Sequence, residues 1–312
     1  MTARPCDALL WIALTAIASP AFGQTAPTED RPTSSSTKAA ASIPDFSGIW
    51  AHPFLTGFEP PASGPGPVLN TSRSRNGVAN FQQLIGDYTN PILNPHAAET
   101  VKKQGEMSRA GSVYPTPSNQ CWPGGVPYVF WDFLMQMFQT PDQITFVYRH
   151  GNEVRRVRMN QPHPAKVTPS WYGDSVGHYE GDTLVIDTVG TKIGPFAMVD
   201  MYGTPFTEKL HVVERYRLVD YDKAKDAIER NRRENFEPPG YGGAPYDPND
   251  RGKVLQLHFT VEDEGVFTTP WTSTITYRRS TGPWTELICA ENRREYYADR
   301  DSEVPHADKP DF

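Results

Sequence analysis

The sequence lacks most of the features by which a class of protein is usually recognised. It has only three cysteines among 312 residues, and their spacing matches no metal-binding motif. No phosphate-binding loop, dinucleotide-binding glycine motif or nucleophile elbow is present, so nucleotide enzymes and the hydrolases that depend on those motifs are not expected. The net charge is −7 and no basic block occurs, which argues against nucleic acid as a partner.

Long apolar runs are also absent, except for one near the N-terminus. Arg4 precedes an apolar run from Ala8 to Ala21, and the small residues around Gly23 are typical of a cleavage site. This pattern predicts a signal peptide over residues 1–23, because the run is short for a membrane anchor, which is the alternative. We therefore expect an exported protein, periplasmic or secreted, with no membrane span after signal removal. Residues 24–43, rich in Ser, Thr, Ala and Pro, predict a disordered leader.

The two cysteines outside the predicted signal peptide are Cys121 and Cys289. In an oxidising compartment a pair of cysteines is interpreted first as a disulfide, and two buried thiols are the alternative. We expect the disulfide.

Alternation of apolar and polar residues predicts about eight or nine strands in one domain over residues 44–300. Most of these strands are expected to be antiparallel neighbours. Closure into a barrel is favoured, because it removes the exposed edges of the sheet. The fold class predicted is thus an all-β, antiparallel β-barrel, with long N-terminal loops, a short helical insertion at residues 222–251 and a tail at residues 301–312.

Four segments carry more specific expectations. A helix is predicted from Asn94, its cap, to Gln104, with Gly105 as its stop. A surface helix is predicted over residues 222–234. The loop over residues 190–206 is long enough to lie over a barrel mouth. Residues 284–297 are predicted to form the last strand.

One hairpin, over residues 175–188, concentrates polar side chains. Gly181-Asp182 predicts a two-residue turn, and alternation on either side of it separates two faces. His178 and Asp187 fall on one face as diagonal neighbours, about 7–8 Å apart at the backbone, so their side chains are close enough to meet. The sequence leaves open which face lies inside. A polar face usually points to water, but a barrel interior can hold a polar patch.

A wider set of side chains is suited to acid–base chemistry. The candidate catalytic residues are His163, His178, Glu180, Asp187, His211 and Glu214. In one hypothesis His178, oriented by Asp187, transfers a proton, and Glu214 is the second acid or base because its strand face is apolar. Arg155 would bind a carboxylate or a developing oxyanion. Such a set suits a lyase, isomerase or hydrolase that needs no cofactor.

A metal site is the weaker alternative for the same residues. It would use His178 and Glu180 with His163 or His211, but no second paired motif supports it. We expect no metal and no cofactor.

Large apolar side chains share one face of the strands between residues 133 and 159, with Arg155 among them, opposite Tyr148. A packed barrel core is the favoured interpretation, because faces made of Met and aromatic residues are usually core. A ligand cavity is the other interpretation. The ligand-binding residues would then be Trp50, Phe146, Tyr148, Arg155 and Trp171.

Two motifs resemble known proteins. Gly48-Ile-Trp50 resembles the Gly-x-Trp signature that begins lipocalin-like barrels, in which an Arg from the last strands packs across the Trp. Candidates for that Arg are Arg278, Arg279 and Arg293. The string from Gly177 to Gly190 resembles an uncharacterised family of exported bacterial proteins that share a GHxEGDTLVxDTxG motif. This second resemblance covers roughly residues 44–297 and implies an exported, lipocalin-like β-barrel. The insertion at residues 222–251 departs from it.

Two functions therefore stay open. The chain is expected to handle a small apolar or aromatic molecule, either as a cofactor-free acid–base enzyme or as a non-catalytic lipocalin-like carrier. Lipocalin-like folds serve both roles, so the fold alone does not decide between them.

Overall fold

The computed structural model describes residues 43–234, 246–284 and 287–289, together with the backbone of residues 294–295 and 300–301. Nine strands form one closed barrel, and their order around the barrel is their order along the chain. The strands are β1 (Gly48–Ala51), β2 (Leu134–Gln139), β3 (Gln143–Tyr148), β4 (Glu153–Met159), β5 (Asp174–Glu180), β6 (Thr183–Val189), β7 (His211–Val219), β8 (Val254–Glu262) and β9 (Trp271–Arg279). The predicted all-β class and the closed barrel are confirmed.

The remaining elements are few. They are α1 (Pro95–Arg109), α2 (Tyr221–Glu234), two 3₁₀ turns (Ser118–Gln120 and Tyr128–Trp131) and the short paired strands β10 (Arg294–Glu295) and β11 (Arg300–Asp301). The predicted signal peptide, leader and C-terminal tail lie outside the described residues, apart from Ile43 and Asp301 at their edges. Within the described residues, no helix is both long enough and apolar enough to cross a membrane.

The expectation of an antiparallel barrel needs one correction. β4 and β5 run parallel, and their pairing is limited to Arg158 with Val176 and Met159 with Gly177. The reason is the connection over residues 160–173, which returns the chain to the end where β4 began, as any parallel pair requires. Every other neighbouring pair in the barrel is antiparallel.

The hairpin formed by β5 and β6 has the predicted register. Glu180 pairs with Thr183, and His178 pairs with Val185. Gly181 has φ +63°, a conformation that an L side chain rarely adopts, and this explains why glycine occupies the turn. The inward face carries Tyr179, Leu184 and Ile186 with their alternate neighbours, so the outward face is the one that holds His178, Glu180 and Asp187.

Large side chains fill the barrel. Phe146 and Tyr148 are buried with rings 6.0 Å apart, and the methionines of the same face are buried around them. The structure therefore supports a packed core for this face. The register differs from the prediction by two residues along the strand: Arg155 lies opposite Phe146, and Tyr148 lies opposite Glu153.

The two helices pack outside the barrel. Asn94 caps α1 as predicted, by accepting a hydrogen bond from the Ala97 amide, but α1 continues through Gly105 to Arg109. Gly105 serves close packing instead of termination, since a Cβ there would lie only 3.0 Å from Ile85 Cγ2. The predicted helix of the insertion is confirmed as α2, which buries Ala224 and Ile228.

Two long-range contacts fix the outer loops. Cys121 and Cys289 form a disulfide across a sequence separation of 168 residues, as predicted. The loop over residues 190–206 contributes Val199 and Tyr202 to the main core, and the Tyr202 hydroxyl donates to the Thr56 carbonyl. The predicted strand over residues 284–297 lies partly outside the described residues. Within it, Leu287 makes a single parallel bridge to His150.

Candidate functional site

Glu214 and Arg155 form a buried ion pair inside the barrel. Arg155 Nη2 lies 2.5 Å from Glu214 Oε1, Arg155 Nη1 lies 2.9 Å from Oε2, and both side chains are fully excluded from solvent. The Tyr216 hydroxyl also donates to Glu214, at 2.9 Å. Burial lowers the pKa of Arg155, but the Glu214 carboxylate more than offsets this and raises it.

The ion pair belongs to the core. Arg155 also donates to the hydroxyls of Ser175 and Thr188, so every carboxylate oxygen and most guanidinium hydrogens are already used. The predicted need of Glu214 for a partner is met by Arg155 of β4, three strands away from β7 around the barrel. No room for a substrate is evident between groups so fully bonded, which favours a structural role for Arg155 and Glu214.

His178 and Glu180 point outward into solvent. The His178 side chain is 53% exposed, and its Nε2 lies 3.2 Å from Glu180 Oε1. Glu180 also accepts a hydrogen bond from Arg215, at 2.6 Å. The expected contact between His178 and Asp187 is not made, because other histidines occupy the Asp187 carboxylate. The proton-transferring pair drawn from the sequence is therefore not assembled in the structure.

Asp187 is the centre of a chain of alternating carboxylates and imidazoles on the outer face of the barrel. His163 Nε2 lies 2.9 Å from Asp187 Oδ1, and His211 Nε2 lies 3.1 Å from Asp187 Oδ2. The chain extends at both ends. His163 Nδ1 lies 2.6 Å from Asp174, and His211 Nδ1 lies 3.6 Å from Glu262. Three of the six candidate catalytic residues thus meet, but around Asp187 and without His178.

Among these carboxylates and imidazoles, the hydrogen bonds determine the direction of the pKa shifts. The bond with His211, and then the bond with His163, hold the pKa of Asp187 below its usual range, although partial burial opposes them. In turn the bond with Asp187 raises the pKa of His211. Within the described residues, no group of three or more His, Cys, Asp or Glu is arranged to hold a metal ion.

The hydrogen-bonded carboxylates and imidazoles around Asp187 should make the free energy of unfolding depend on pH in two opposite directions. The Asp187 contribution is present above its unfolded pKa near 4 and is lost as pH falls. The His211 contribution is present below its unfolded pKa near 6.5 and is lost as pH rises through the raised folded value. Asp187→Asn should therefore cost about 0.5–1 kcal/mol near pH 5–6, because the groups are partly exposed, and less near pH 8. Urea unfolding across pH 4–8 would measure this.

Asp182→Asn is the matched control for that measurement. Asp182 pairs with Arg217 and has no histidine partner among the described residues, so its loss should leave the pH 6–8 slope of the parent protein intact. Equal slopes for Asp187→Asn and the parent over that interval would refute the coupling to His211.

The predicted ligand-binding residues do not converge on one cavity. Trp50 is buried, its indole Nε1 donates to the Phe46 carbonyl, and the Arg279 guanidinium lies 4.3 Å above its ring. Trp171 is elsewhere, half-buried against Trp122 with their ring centroids 5.2 Å apart. Phe146, Tyr148 and Arg155 are core residues. The cavity predicted from these five residues is therefore not formed as one site.

Sequence reasoning missed a group of acids near one end of the barrel. Burial raises the pKa of Asp132 to about 7, although hydrogen bonds from the amides of His150 and Leu134 oppose it. Burial likewise raises the pKa of Glu153, to which the Tyr172 hydroxyl donates. The crevice between these groups holds only about 10 Å³, roughly the volume in which one water fits, so a substrate does not enter it.

A cavity lies beside β9 of the barrel, and we name it the Glu59 cleft. Its volume is about 260 Å³. It lies where loop residues 55–60 and 69–79 meet Tyr202, the last turn of α2 and β9. Its lining includes Leu55, Glu59, Leu69, Arg73, Arg230 and Ile275. Sequence analysis missed it because its walls are irregular loops without hydrophobic periodicity.

Glu59 is the polar centre of this cleft. Its Oε1 accepts a hydrogen bond from Arg230 of α2. Its Oε2 is buried and has no hydrogen-bond partner among the described residues. Burial raises the pKa of Glu59, and the Arg230 charge opposes that shift. A buried acceptor without a donor is costly, typically about 1–3 kcal/mol, so a donor supplied by a ligand would be favourable here.

No protein-family model, curated protein or solved structure matches the chain. The assignment of a function therefore rests on the geometry of its own residues.

Proposed function

We propose that the protein binds a small, largely apolar molecule in the Glu59 cleft, with a hydroxyl or amine of that molecule donating to Glu59. The observation that carries this proposal is the buried Oε2 of Glu59, which has no hydrogen-bond partner among the described residues and lies at a cavity of about 260 Å³. Cavities with apolar walls and few converging polar groups are the usual form of small-molecule sites.

The size and walls of the cleft define the class of ligand. About 260 Å³ is well above the roughly 150 Å³ that accommodates benzene and just below the range of about 300–1,000 Å³ for drug-sized ligands. Leu55, Leu69 and Ile275 supply apolar wall. These features favour a molecule with one ring or a short branched chain and a single polar end.

The charges that line the cleft determine which group of the ligand lies next to Glu59. Arg230 holds Oε1 of Glu59, so the pair is neutral overall, and the buried Oε2 accepts a donor from the ligand once the carboxyl group turns toward the cleft. Arg73 is exposed where it lines the cleft. A hydrogen-bond donor of the ligand, such as a phenolic hydroxyl or an amine, is therefore favoured next to Glu59. The apolar part of the ligand then contacts the loop residues.

Cofactor-free acid–base chemistry is a second candidate function. The observation in its favour is the raised pKa of Glu59, because a carboxyl group with a raised pKa in a cleft is suited to proton transfer. In this second candidate the catalytic group is Glu59 and not His178, which points to solvent.

We also propose that the barrel is lipocalin-like and the protein exported. Burial of Trp50 beneath Arg279 supports the lipocalin-like barrel, since it reproduces the Trp–Arg contact expected from Gly48-Ile-Trp50. The disulfide between Cys121 and Cys289 supports export of the protein, because disulfides persist mainly in oxidising compartments.

Calorimetry with three probes of nearly equal size tests the ligand class. We expect 4-ethylphenol and phenethylamine to bind the purified protein more tightly than ethylbenzene, which has no donor. In Glu59→Leu the two donor-bearing probes should lose about tenfold in affinity, the expected loss for a hydrogen bond to a charged group. Ethylbenzene should bind Glu59→Leu at least as well as the parent.

Glu180→Leu is the matched control, because it makes the same substitution at an exposed carboxylate that does not line the cleft. It should change no affinity. Equal losses in both variants, or an equal affinity of all three probes for the parent protein, would refute the role of Glu59. Mass spectrometry of the same mixtures separates the two candidate functions: a product that disappears in Glu59→Gln and persists in His178→Ala would establish catalysis.

A further inference from the structure

A second cleft of about 250 Å³ lies on another side of α2, and we name it the Arg278 cleft. It is bounded by α2, the turn over residues 246–251 and the end of β9. Its lining consists of Tyr221, Ile228, Glu229, Arg232, Tyr246, Pro248, Arg251 and Arg278. Three of these eight residues are arginines, a positive concentration in a chain of net charge −7.

Two of the arginines are held rigidly. Arg278 is only 6% exposed, and its Nη2 donates to the carbonyls of Asp247 and Asp250 at 2.8 and 2.6 Å. Arg251 Nη1 donates to the carbonyls of Pro248 and Asp250. Both guanidinium groups are thus fixed by backbone oxygens, and their remaining N–H groups are not used by these bonds.

Aromatic rings hold the same two guanidinium groups. Arg251 lies 4.5 Å and Arg278 lies 5.6 Å from the centre of the Tyr221 ring. The Tyr246 ring lies 4.7 Å from the Arg278 guanidinium. Two positive charges thus share one ring, an arrangement whose mutual repulsion an anion would relieve.

None of the three arginines has a carboxylate partner among the described residues. Six other arginines of the described residues do have one: Arg155, Arg158, Arg215, Arg217, Arg230 and Arg233. The cleft also holds one carboxylate, Glu229, which is exposed and forms no ion pair with the described residues. Asp247 accepts from the Asn249 amide, and Asp250 accepts from the Gly252 amide.

We propose that the Arg278 cleft binds an oxyanion, a carboxylate or phosphate group, carried on an aromatic ring. The planar forks of Arg251 and Arg278 match the paired oxygens of such a group, and Arg232 adds charge at the edge. The Tyr221 and Tyr246 side chains line the cleft and add apolar area next to the ring of the ligand. This site is separate from the Glu59 cleft and does not depend on the function proposed there.

Calorimetry with benzoate and phenyl phosphate tests the proposal, with uncharged benzyl alcohol for comparison. We expect saturable binding of at least one anion and none of benzyl alcohol. Whichever anion binds more tightly identifies the group as a carboxylate or a phosphate. Arg232→Gln and Arg251→Gln, both at exposed positions, should each weaken binding about tenfold, the loss expected for a charge-assisted hydrogen bond.

Arg233→Gln is the matched control. Arg233 is the neighbour of Arg232 on α2, does not line the cleft and pairs with Glu234. Its loss should change the affinity less than twofold, and circular dichroism would confirm that all three variants are folded. The proposal is overturned if neither anion binds saturably, or if Arg233→Gln weakens binding as much as the other two variants.

Discussion

Arg155→Met should destabilise the protein by about 3–5 kcal/mol. The substitution leaves Glu214 as a buried carboxylate without its cation, and breaking one partner of a buried pair has an effect of this size. It also removes the donor that serves the Ser175 and Thr188 hydroxyls. Urea denaturation followed by circular dichroism would measure the difference in the free energy of unfolding.

The adjacent residue provides the control. Arg156 faces solvent on the same strand, so Arg156→Met should change stability by no more than about 0.5 kcal/mol. The double variant Arg155→Met with Glu214→Leu should recover most of the loss, because replacing a buried ion pair by apolar groups is often neutral. An Arg155→Met protein as stable as Arg156→Met would show that the ion pair does not support the fold.

Removing the disulfide should have the second largest effect. Replacing Cys121 and Cys289 by serine should lower the free energy of unfolding by about 2–5 kcal/mol. The bond closes a loop of 168 residues, and the chain-entropy account gives about 5 kcal/mol for a loop of that length, as an upper value. Urea midpoints of the parent and the double-serine variant would measure the loss.

A reductant is the internal control for that experiment. It should lower the midpoint of the parent protein to that of the variant and leave the variant unchanged. Oxidised and reduced parent proteins with the same midpoint would contradict the prediction.

Much of the barrel could be predicted from local patterns. The β5–β6 register followed from a two-residue turn and strict alternation, because both depend only on neighbouring residues. Glu214 was recognised as needing a partner, since a carboxylate on an apolar face must be satisfied. That partner could not be named, because Arg155 is 59 residues away and reaches Glu214 across the interior of the closed barrel, not from an adjacent strand.

The candidate site was less predictable, for two physical reasons. Asp187 had His178 as its expected partner within one hairpin, but His163 reaches it from the connection between β4 and β5, whose path no periodicity describes. The Glu59 cleft depends on loops that meet only after folding, and Glu59 stands in a Pro-rich stretch that resembles ordinary loop. Sequence patterns describe strands well and loop contacts poorly.

The pairing of strands divides the barrel wall into two parts. The β4–β5 and β1–β9 junctions have only two residue pairs each, whereas β7–β8 has nine and β8–β9 has seven. The cylinder is thus equivalent to two antiparallel sheets, β1–β4 and β5–β9, with the Arg155–Glu214 pair as a cross-link between them. Both proposed clefts contact β9, in the sheet with the longest ladders. Ligands in either cleft would therefore contact the sheet with the longest ladders, and a shift of one sheet against the other would leave β9 paired with β8.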